Sequence, residues 1–181
     1  MSKAILMSIR PEWCAMILSG RKTAEVRKTY PKAKDLPYPF KVYIYRTQMP
    51  GQLIDIMKEG DKIDYYLPEG EEPAIYHGKP TFIKTLPEKG VVIGEFVCDN
   101  IESLWDLTVT QPGPNFKPFY QQPLMGCTCL EQWQLEKYAG GKELYSWHIS
   151  SLKKYSRPLE LATFGLKRPP QSWCYVEELP E

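Results

Sequence analysis

A chain of 181 residues can bury one substantial core and does not require a second domain. Hydrophobic residues make up 43% of it, which excludes an intrinsically disordered protein, and 23 Lys and Arg against 22 Asp and Glu leave no global field that would attract nucleic acid or an anionic membrane. The sequence has neither a secretion signal nor an apolar span of membrane length, so we expect one domain over residues 1–181, located in the cytoplasm and not associated with a membrane.

The first third of the chain combines short strand and helix patterns. An apolar run at Lys3–Ile9 predicts a strand. Pro11 and Gly20 mark the two ends of a short helix, because proline is favoured at the first helical position and glycine at a left-handed cap. The residues KTAEVRK that follow alternate in polarity and predict a half-buried strand. Aromatic and β-branched residues predict another strand at Phe40–Thr47.

The middle of the chain is rich in proline and glycine. Residues Gln52–Lys58 predict a short helix, which the segment DKIDYYL follows. Breaker residues are frequent in 67–90 and in 110–126, and both stretches are interpreted as loop insertions. Between them, GVVIGEFVC gives the clearest strand pattern of the sequence.

The last third predicts one helix and several strands. CLEQWQLEKYAG has a helical pattern that ends at Gly140. The strand-like stretch 144–161 contains Pro158, which a central strand does not tolerate, and a short terminal strand is predicted at Trp173–Val176. Many short strands with two helices favour an α+β fold around a small barrel-like sheet.

The charged stretch SGRKTAEVRK carries a family resemblance. Gly20, Lys22, Glu25 and Arg27 fit the pattern G-x-K-x-x-E-x-R, and FKVYIYRT, GVVIGEFVC, YSWHISSLKKY and RPPQSWCYV follow in a characteristic order. The sequence thereby resembles the ASCH domain family of the PUA-like superfamily. This resemblance implies a small mixed β-barrel flanked by two or so helices, to which the two breaker-rich stretches are added as loop insertions.

The resemblance also implies that the charged residues after the first helix line a cleft that holds RNA or a nucleotide. Lys22 would then be a point charge for phosphate, Arg27 a bidentate fork, and Glu25 an acceptor for the exocyclic amine of a base. The alternative is an ordinary solvated strand face on which Glu25 and Arg27 form a weak ion pair. Charges on such a wall are expected to contribute little to stability.

Five further residues are candidates for the same cleft. Ser8 and Arg10 follow the first strand and are expected at the same end of the barrel, and Trp13 can stack on a base. The segment SWHISS is similar to a recurring segment of the family, so Trp147 and His148 are expected to approach the cleft. The alternative is that the tryptophans are core residues and that the histidine is a hydrogen-bonded structural residue.

The leading functional hypothesis is an RNA- or nucleotide-binding module. The alternative is a hydrolase acting on RNA or a modified nucleoside, with Lys22, Glu25 and His148 as candidate catalytic residues. In the family, hydrolases of acylated cytidine use a Thr three residues after the Lys, where this sequence has Glu25, and Thr23 is not expected to share the geometry of Lys22. A further alternative is a protein-interaction adaptor in transcription, because ASCH domains also occur beside coactivator modules.

The cysteine and histidine content argues against a metal centre. Five cysteines are scattered among the predicted elements, which indicates free thiols and not a disulfide framework. Cys127 and Cys129 are one residue apart, and only His77 and His148 are available to complete a zinc site. Neither a metal nor a cofactor is predicted.

Overall fold

The computed structural model describes residues 2–32, 34–48, 90–105 and 127–180, together with the backbone of three strands at 51–58, 61–68 and 80–85. The strands are β1 (Lys3–Ile9), β2 (Ala24–Arg27), β3 (Phe40–Arg46), β4 (Gly51–Lys58), β5 (Asp61–Pro68), β6 (Pro80–Thr85), β7 (Val91–Cys98), β8 (Ile101–Ser103), β9 (Tyr145–His148), β10 (Ser150–Leu159) and β11 (Trp173–Glu177). The helices in the described part are α1 (Pro11–Leu18), α2 (Gln132–Ala139) and a 3-10 helix at Leu161–Phe164, and none is long and apolar enough to cross a membrane. The α+β class is therefore confirmed.

The described strands form three sheets. The largest has the order β10-β7-β3-β1-β11, in which β1 and β3 are parallel and the other pairs antiparallel. The second has the order β2-β9-β8 and the third the order β5-β4-β6. Because the described strands are not hydrogen-bonded into one closed sheet, the barrel that the resemblance implies is not confirmed.

The two α-helices end where the local sequence predicts. α1 has proline at its first position, and Gly20 follows it with a φ of +76°, a conformation that costs glycine nothing. α2 begins with a capping box in which Glu131 and Gln134 satisfy each other's backbone N–H groups. It ends at Gly140 in the left-handed conformation.

Two predictions for the middle of the chain are wrong. Residues Gln52–Lys58 belong to strand β4, not to a helix, because β4 finds antiparallel partners on both sides in β5 and β6. The stretch 67–90 is not wholly a loop, since its residues Pro80–Thr85 form β6. The predicted insertion at 110–126 lies outside the described residues. Pro158 lies in β10, which is an edge strand and therefore tolerates it.

The hydrophobic core positions the elements around one end of the large sheet. One face of that sheet packs against α1 and β9 through a cluster that includes Ile5, Ile17 and Phe96. The other face is covered by the C-terminal region through Leu161 and Phe164. A smaller cluster joins β2 to α2. Because β1 and β3 are parallel, their carboxyl ends lie side by side at one end of the large sheet, beside β2 and α2.

Candidate functional site

A cavity of about 550 Å³ lies at the edge where β1 and β3 end. It is called the Lys22 cavity here, and it contains six of the eight binding residues predicted from the sequence: Ser8, Arg10, Trp13, Lys22, Glu25 and Arg27. The parallel pairing of β1 with β3 brings the residues after each strand to this edge. The turn after α1 and the strand β2 supply the charged wall.

The charged residues of the wall are buried and paired with one another. Lys22, Glu25 and Arg27 are 2%, 3% and 8% exposed. The Glu25 carboxylate lies between the two cations, with Oε1 2.5 Å from Arg27 Nη1 and Oε2 3.4 Å from Lys22 Nζ. The alternative of a solvated strand face is therefore wrong, because β2 is covered on both sides.

The cations are also held by distant backbone carbonyls. Lys22 Nζ donates to the Thr128 carbonyl oxygen at 2.6 Å and lies 5.4 Å from the centre of the Trp13 ring. Arg27 Nη2 donates to the Ser8 carbonyl oxygen at 2.7 Å. An ammonium group has only three protons to donate, so Lys22 is largely engaged by the protein itself.

Two polar atoms of this wall have no hydrogen-bond partner although they are buried. They are Glu25 Oε2, which meets Lys22 only as an ion pair, and Arg27 Nε. A buried polar group without a partner costs about 1–3 kcal/mol, and such groups are uncommon. An acceptor and a donor of the same cavity wall thus lack a partner within the described part of the protein, although both atoms are covered from solvent.

The remaining predicted residues of the cavity differ in exposure. The Arg10 side chain is 70% exposed and lies 3.9 Å from Glu12, so it is free to reach a ligand from the solvent side. Ser8 is half-buried, and its hydroxyl donates to the Pro170 carbonyl oxygen at 2.7 Å. Trp13 is half-buried and packs partly against the core. The cavity wall therefore has buried charges at Lys22, Glu25 and Arg27 and a solvent-exposed charge at Arg10.

The prediction that Trp147 and His148 approach the cleft is wrong, because neither residue lines the Lys22 cavity. Trp147 is fully buried in the main core, where its ring packs edge-on against Phe40 and beside Trp173. His148 points elsewhere, because successive residues of β9 face opposite sides of the strand. Its Nδ1 lies 2.5 Å from Asp99 Oδ1, and this hydrogen bond holds the pKa of the Asp99 carboxyl below its ordinary value.

His148 lines a second, smaller cavity of about 250 Å³, called the His148 cavity here. Thr23 and Cys127 lie in the same wall. Thr23 is therefore separated from Lys22, as the sequence predicts, and the three catalytic candidates Lys22, Glu25 and His148 do not share one cavity.

The cysteines at 127 and 129 make separate contacts. Burial raises the pKa of the Cys127 thiol, whereas Cys129 Sγ lies 3.3 Å from the Arg21 carbonyl oxygen. Among the residues whose side chains are described, no group of three or more His, Cys, Asp or Glu is arranged to hold a metal ion.

Sequence reasoning missed several polar residues that line the Lys22 cavity. They are Thr47, Gln48, Gln134, Tyr138, Gln171 and Ser172. The position of Gln48 follows from the parallel pairing of β1 with β3, which no local pattern reveals. No local pattern singles out Tyr138 either; the structure shows that its ring is 39% exposed and lies 5.0 Å from Lys28 Nζ.

Comparison with known proteins identifies the family. The ASCH domain matches residues 7–158, which is most of the chain. No curated protein matched the sequence. Among solved structures, a mutant ZmASCH protein from Zymomonas mobilis is similar, with a TM-score of 0.55 and 16% identity over 97% of this chain and 89% of that chain. At that identity the likeness concerns the fold alone. The matching domain and the common fold together show that this chain belongs to the ASCH domain family.

Proposed function

We propose that the Lys22 cavity binds one nucleotide unit, either as a free nucleotide or as part of an RNA strand. The observation that carries this proposal is the cavity wall itself, in which the charged residues Glu25 and Arg27 lie beside the aromatic residues Trp13 and Tyr138. Glu25 Oε2 and Arg27 Nε in that wall have no hydrogen-bond partner and are covered from solvent, so a ligand that reaches them after a shift of these side chains adds hydrogen bonds that the folded protein lacks.

The two atoms suit the edge of a nucleobase better than a phosphate. Glu25 Oε2 accepts a hydrogen bond, and Arg27 Nε donates one. Each nucleobase presents donors and acceptors side by side on its Watson–Crick edge, whereas a phosphate offers only acceptors and is repelled by a carboxylate. Glu25 therefore favours a base at the buried end of the cavity.

The size and the aromatic lining of the cavity support the same ligand. A volume of about 550 Å³ is within the range of about 300–1,000 Å³ that is usual for small-molecule sites. Trp13 and Tyr138 both line it, and an aromatic ring can stack on the face of any base. Tyr138 is 39% exposed, and the Lys28 ammonium lies 5.0 Å from its ring centre, so a positive charge accompanies this ring.

The phosphate is assigned to Arg10 and not to Lys22. Lys22 Nζ already meets the Thr128 carbonyl, the Glu25 carboxylate and the Trp13 ring. Arg10 has an exposed guanidinium at the same cavity, and its fork can bind phosphate in a bidentate manner. The ligand would thus lie with its base toward Glu25 and its phosphate toward Arg10.

Calorimetric titration with the four ribonucleoside 5′-monophosphates tests the proposal. We expect binding of at least one of them, and we expect Tyr138→Ala to weaken it by about 1–3 kcal/mol, the usual value of one base stacking on an aromatic ring. Glu25→Gln keeps an acceptor oxygen but adds a donor, so it should change the order of preference among the four bases. Its folding must first be verified by circular dichroism.

Trp133→Ala is the matched control for Tyr138→Ala. Trp133 is an exposed aromatic residue of the same helix, and it does not line the Lys22 cavity. Its replacement should leave nucleotide binding unchanged. The absence of any heat change or thermal stabilisation by all four nucleotides at millimolar concentration would overturn the proposal.

A hydrolase acting on a modified nucleoside is the second candidate, and one observation favours it. Lys22 and Glu25 form a buried acid/base pair in a cavity of suitable size for a nucleoside. Glu25 would accept a proton from a water that attacks the acyl carbonyl carbon and would return that proton to the cytidine amine as the acyl C–N bond breaks. The nearby Lys22 charge would stabilise the negative charge on the carbonyl oxygen without a direct hydrogen bond. Incubation with acylated cytidine, with cytidine release measured by chromatography, distinguishes this activity from binding alone.

A further inference from the structure

The backbone carbonyl that holds Lys22 lies between two cysteines. Cys127, Thr128 and Cys129 are called the CTC segment here. The Cys127 carbonyl oxygen accepts a hydrogen bond from the Thr23 N–H at 2.9 Å, and the Thr128 carbonyl oxygen accepts one from Lys22 Nζ at 2.6 Å. The position of the Lys22 ammonium therefore depends on the backbone conformation of the CTC segment.

The two thiols of the CTC segment are both half-buried and have different surroundings. Cys129 Sγ lies 3.3 Å from the Arg21 carbonyl oxygen, whereas Cys127 lies in the wall of the His148 cavity. Burial raises the pKa of the Cys127 thiol, and the nearby Lys22 charge opposes this effect. Because burial disfavours the Cys127 thiolate, a reagent that attacks thiols should react first at Cys129.

The backbone of the CTC segment is strained at Cys129. This residue has a φ of +55°, in the left-handed region that residues other than glycine adopt only at a cost. Strain of this kind persists where the surrounding contacts enforce it. A change in the conformation of the segment therefore relieves strain at Cys129.

A disulfide between the two cysteines would require such a change. The bond needs Cβ atoms about 3.5–4.5 Å apart and a narrow range of dihedral angles. Because the two thiols now have different surroundings, their approach turns the peptide groups between them, and the Thr128 carbonyl belongs to one of these groups. Lys22 would then lose this acceptor and keep its ion pair with Glu25.

We infer that Cys127 and Cys129 are a modification site for peroxides, at which a disulfide forms and releases Lys22 from the Thr128 carbonyl. Transient disulfides with a sensing role are the kind that occurs in a reducing compartment. The inference concerns regulation of the Lys22 cavity, and it rests on the proposed function only for its effect on nucleotide binding.

The oxidation takes place in two steps, with hydrogen peroxide as the oxidant. The Cys129 thiolate attacks one peroxide oxygen, the O–O bond breaks, and the departing hydroxide takes up the thiol proton to give water and a sulfenic acid. The Cys127 sulfur then attacks the Cys129 sulfur, the S–O bond breaks, and a second water leaves with the Cys127 proton. Two thiols are thus oxidised to one disulfide while one peroxide is reduced to two waters.

Mass spectrometry of the peroxide-treated full chain at low protein concentration tests the first part of the inference. We expect the fragment that contains both cysteines to lose two hydrogen atoms. Acetic anhydride labelling of the native protein tests the second part, because Lys22 is only 2% exposed. The oxidised protein should be acetylated at Lys22 at least about tenfold faster, the factor that corresponds to the loss of one hydrogen bond to a charged group. The exposed Lys154 should be acetylated equally in both forms.

Three serine variants separate the roles of the cysteines. Cys129→Ser keeps a hydroxyl that can donate to the Arg21 carbonyl, and Lys22 should stay protected in it after peroxide treatment. Cys127→Ser should accumulate a sulfenic acid at Cys129, which dimedone traps. Cys174→Ser is the matched control, since Cys174 is also half-buried but lies outside the CTC segment, and it should behave as the parent does.

Two results would overturn the inference: both thiols of the CTC segment persist when Cys174 is already oxidised, or the disulfide forms and leaves Lys22 labelling unchanged. Titration of both forms with adenosine monophosphate tests the effect on the cavity. Tighter binding by the oxidised form supports regulation through Lys22, which then has a proton to donate to the ligand. Equal affinity would refute the regulation. If Lys22 labelling changes but no monophosphate binds either form, the proposed function fails and the modification site stands.

Discussion

Glu25 and Arg27 form a salt bridge of 2.5 Å in which both side chains are almost completely withdrawn from solvent. The same carboxylate faces Lys22 on its other side, at 3.4 Å. Two buried cations thus depend on one anion. Because an unpaired charge is costly in a protein interior, Glu25 is the residue of this group whose loss should matter most for folding.

Glu25→Ala should lower the free energy of unfolding by about 3–5 kcal/mol, since it leaves two cations buried without their counter-charge. Lys22→Met should cost less, because Glu25 keeps its bond to Arg27. Urea unfolding followed by circular dichroism measures both. As a control, Lys153→Ala removes an exposed partner of Glu95 and should change stability by less than about 1 kcal/mol. A Glu25→Ala variant as stable as the parent would contradict the burial of this group.

Arg10→Ala should make RNA binding less sensitive to salt. One phosphate contact to a single strand contributes about 0.7 to the slope of log K against log salt concentration, so the slope should fall by that amount. Arg157→Ala, in which an exposed arginine of β10 is removed, is the matched control and should leave the slope unchanged. Titrations of a tetranucleotide at four salt concentrations provide the slopes. An equal slope in Arg10→Ala and the parent would show that Arg10 does not contact phosphate.

The elements that could be predicted from the sequence are those with strong local signals. Pro11 marks the start of α1, and Gly20 follows its end. Glu131 and Gln134 cap the start of α2, and Gly140 ends it. β4 was mispredicted because Leu53, Ile56 and Met57 have helical spacing. Pairing on both sides outweighs that preference, and it depends on residues far along the chain.

The charged residues of the candidate site could be predicted from the sequence, but their burial and their hydrogen-bond partners could not. The pattern G-x-K-x-x-E-x-R indicates that Lys22, Glu25 and Arg27 act together, and the structure brings them into one cavity. It does not reveal that the Thr128 carbonyl, more than a hundred positions away, accepts from Lys22. The expectation that these charges contribute little to stability assumed a solvated wall. Because the three side chains are buried, we now expect the loss of Glu25 to destabilise the fold.

Alkylation should distinguish the cysteines. Burial raises the pKa of Cys14 far above its ordinary value and that of Cys98 to about 12, because a low-dielectric surrounding disfavours the thiolate. At pH 8 both thiols are therefore protonated as well as inaccessible, and iodoacetamide should modify them only after unfolding. The half-exposed Cys127 and Cys174 should react earlier. Mass spectrometry of native protein at timed intervals provides the order, and early modification of Cys14 or Cys98 would contradict their place in the core.

Removal of residues 171–181 should destabilise the whole chain and not only its end. β11 pairs with β1, so its loss turns β1, the strand that leads into the Lys22 cavity, into an edge strand. The truncation also removes the buried Val176 and the Trp173 ring that packs on Trp147, which together stabilise the fold by about 3 kcal/mol or more.

If residues 1–181 form one domain, calorimetry of this truncated chain should show a single transition at a clearly lower temperature. Deletion of 180–181 is the control, since it leaves β11 and the hydrogen bond from the Leu179 N–H to the Tyr43 hydroxyl in place. Its transition should match that of the full chain. A protein lacking 171–181 that also melts like the full chain would show that β11 is not part of the cooperative unit, and the single-domain prediction would then be wrong.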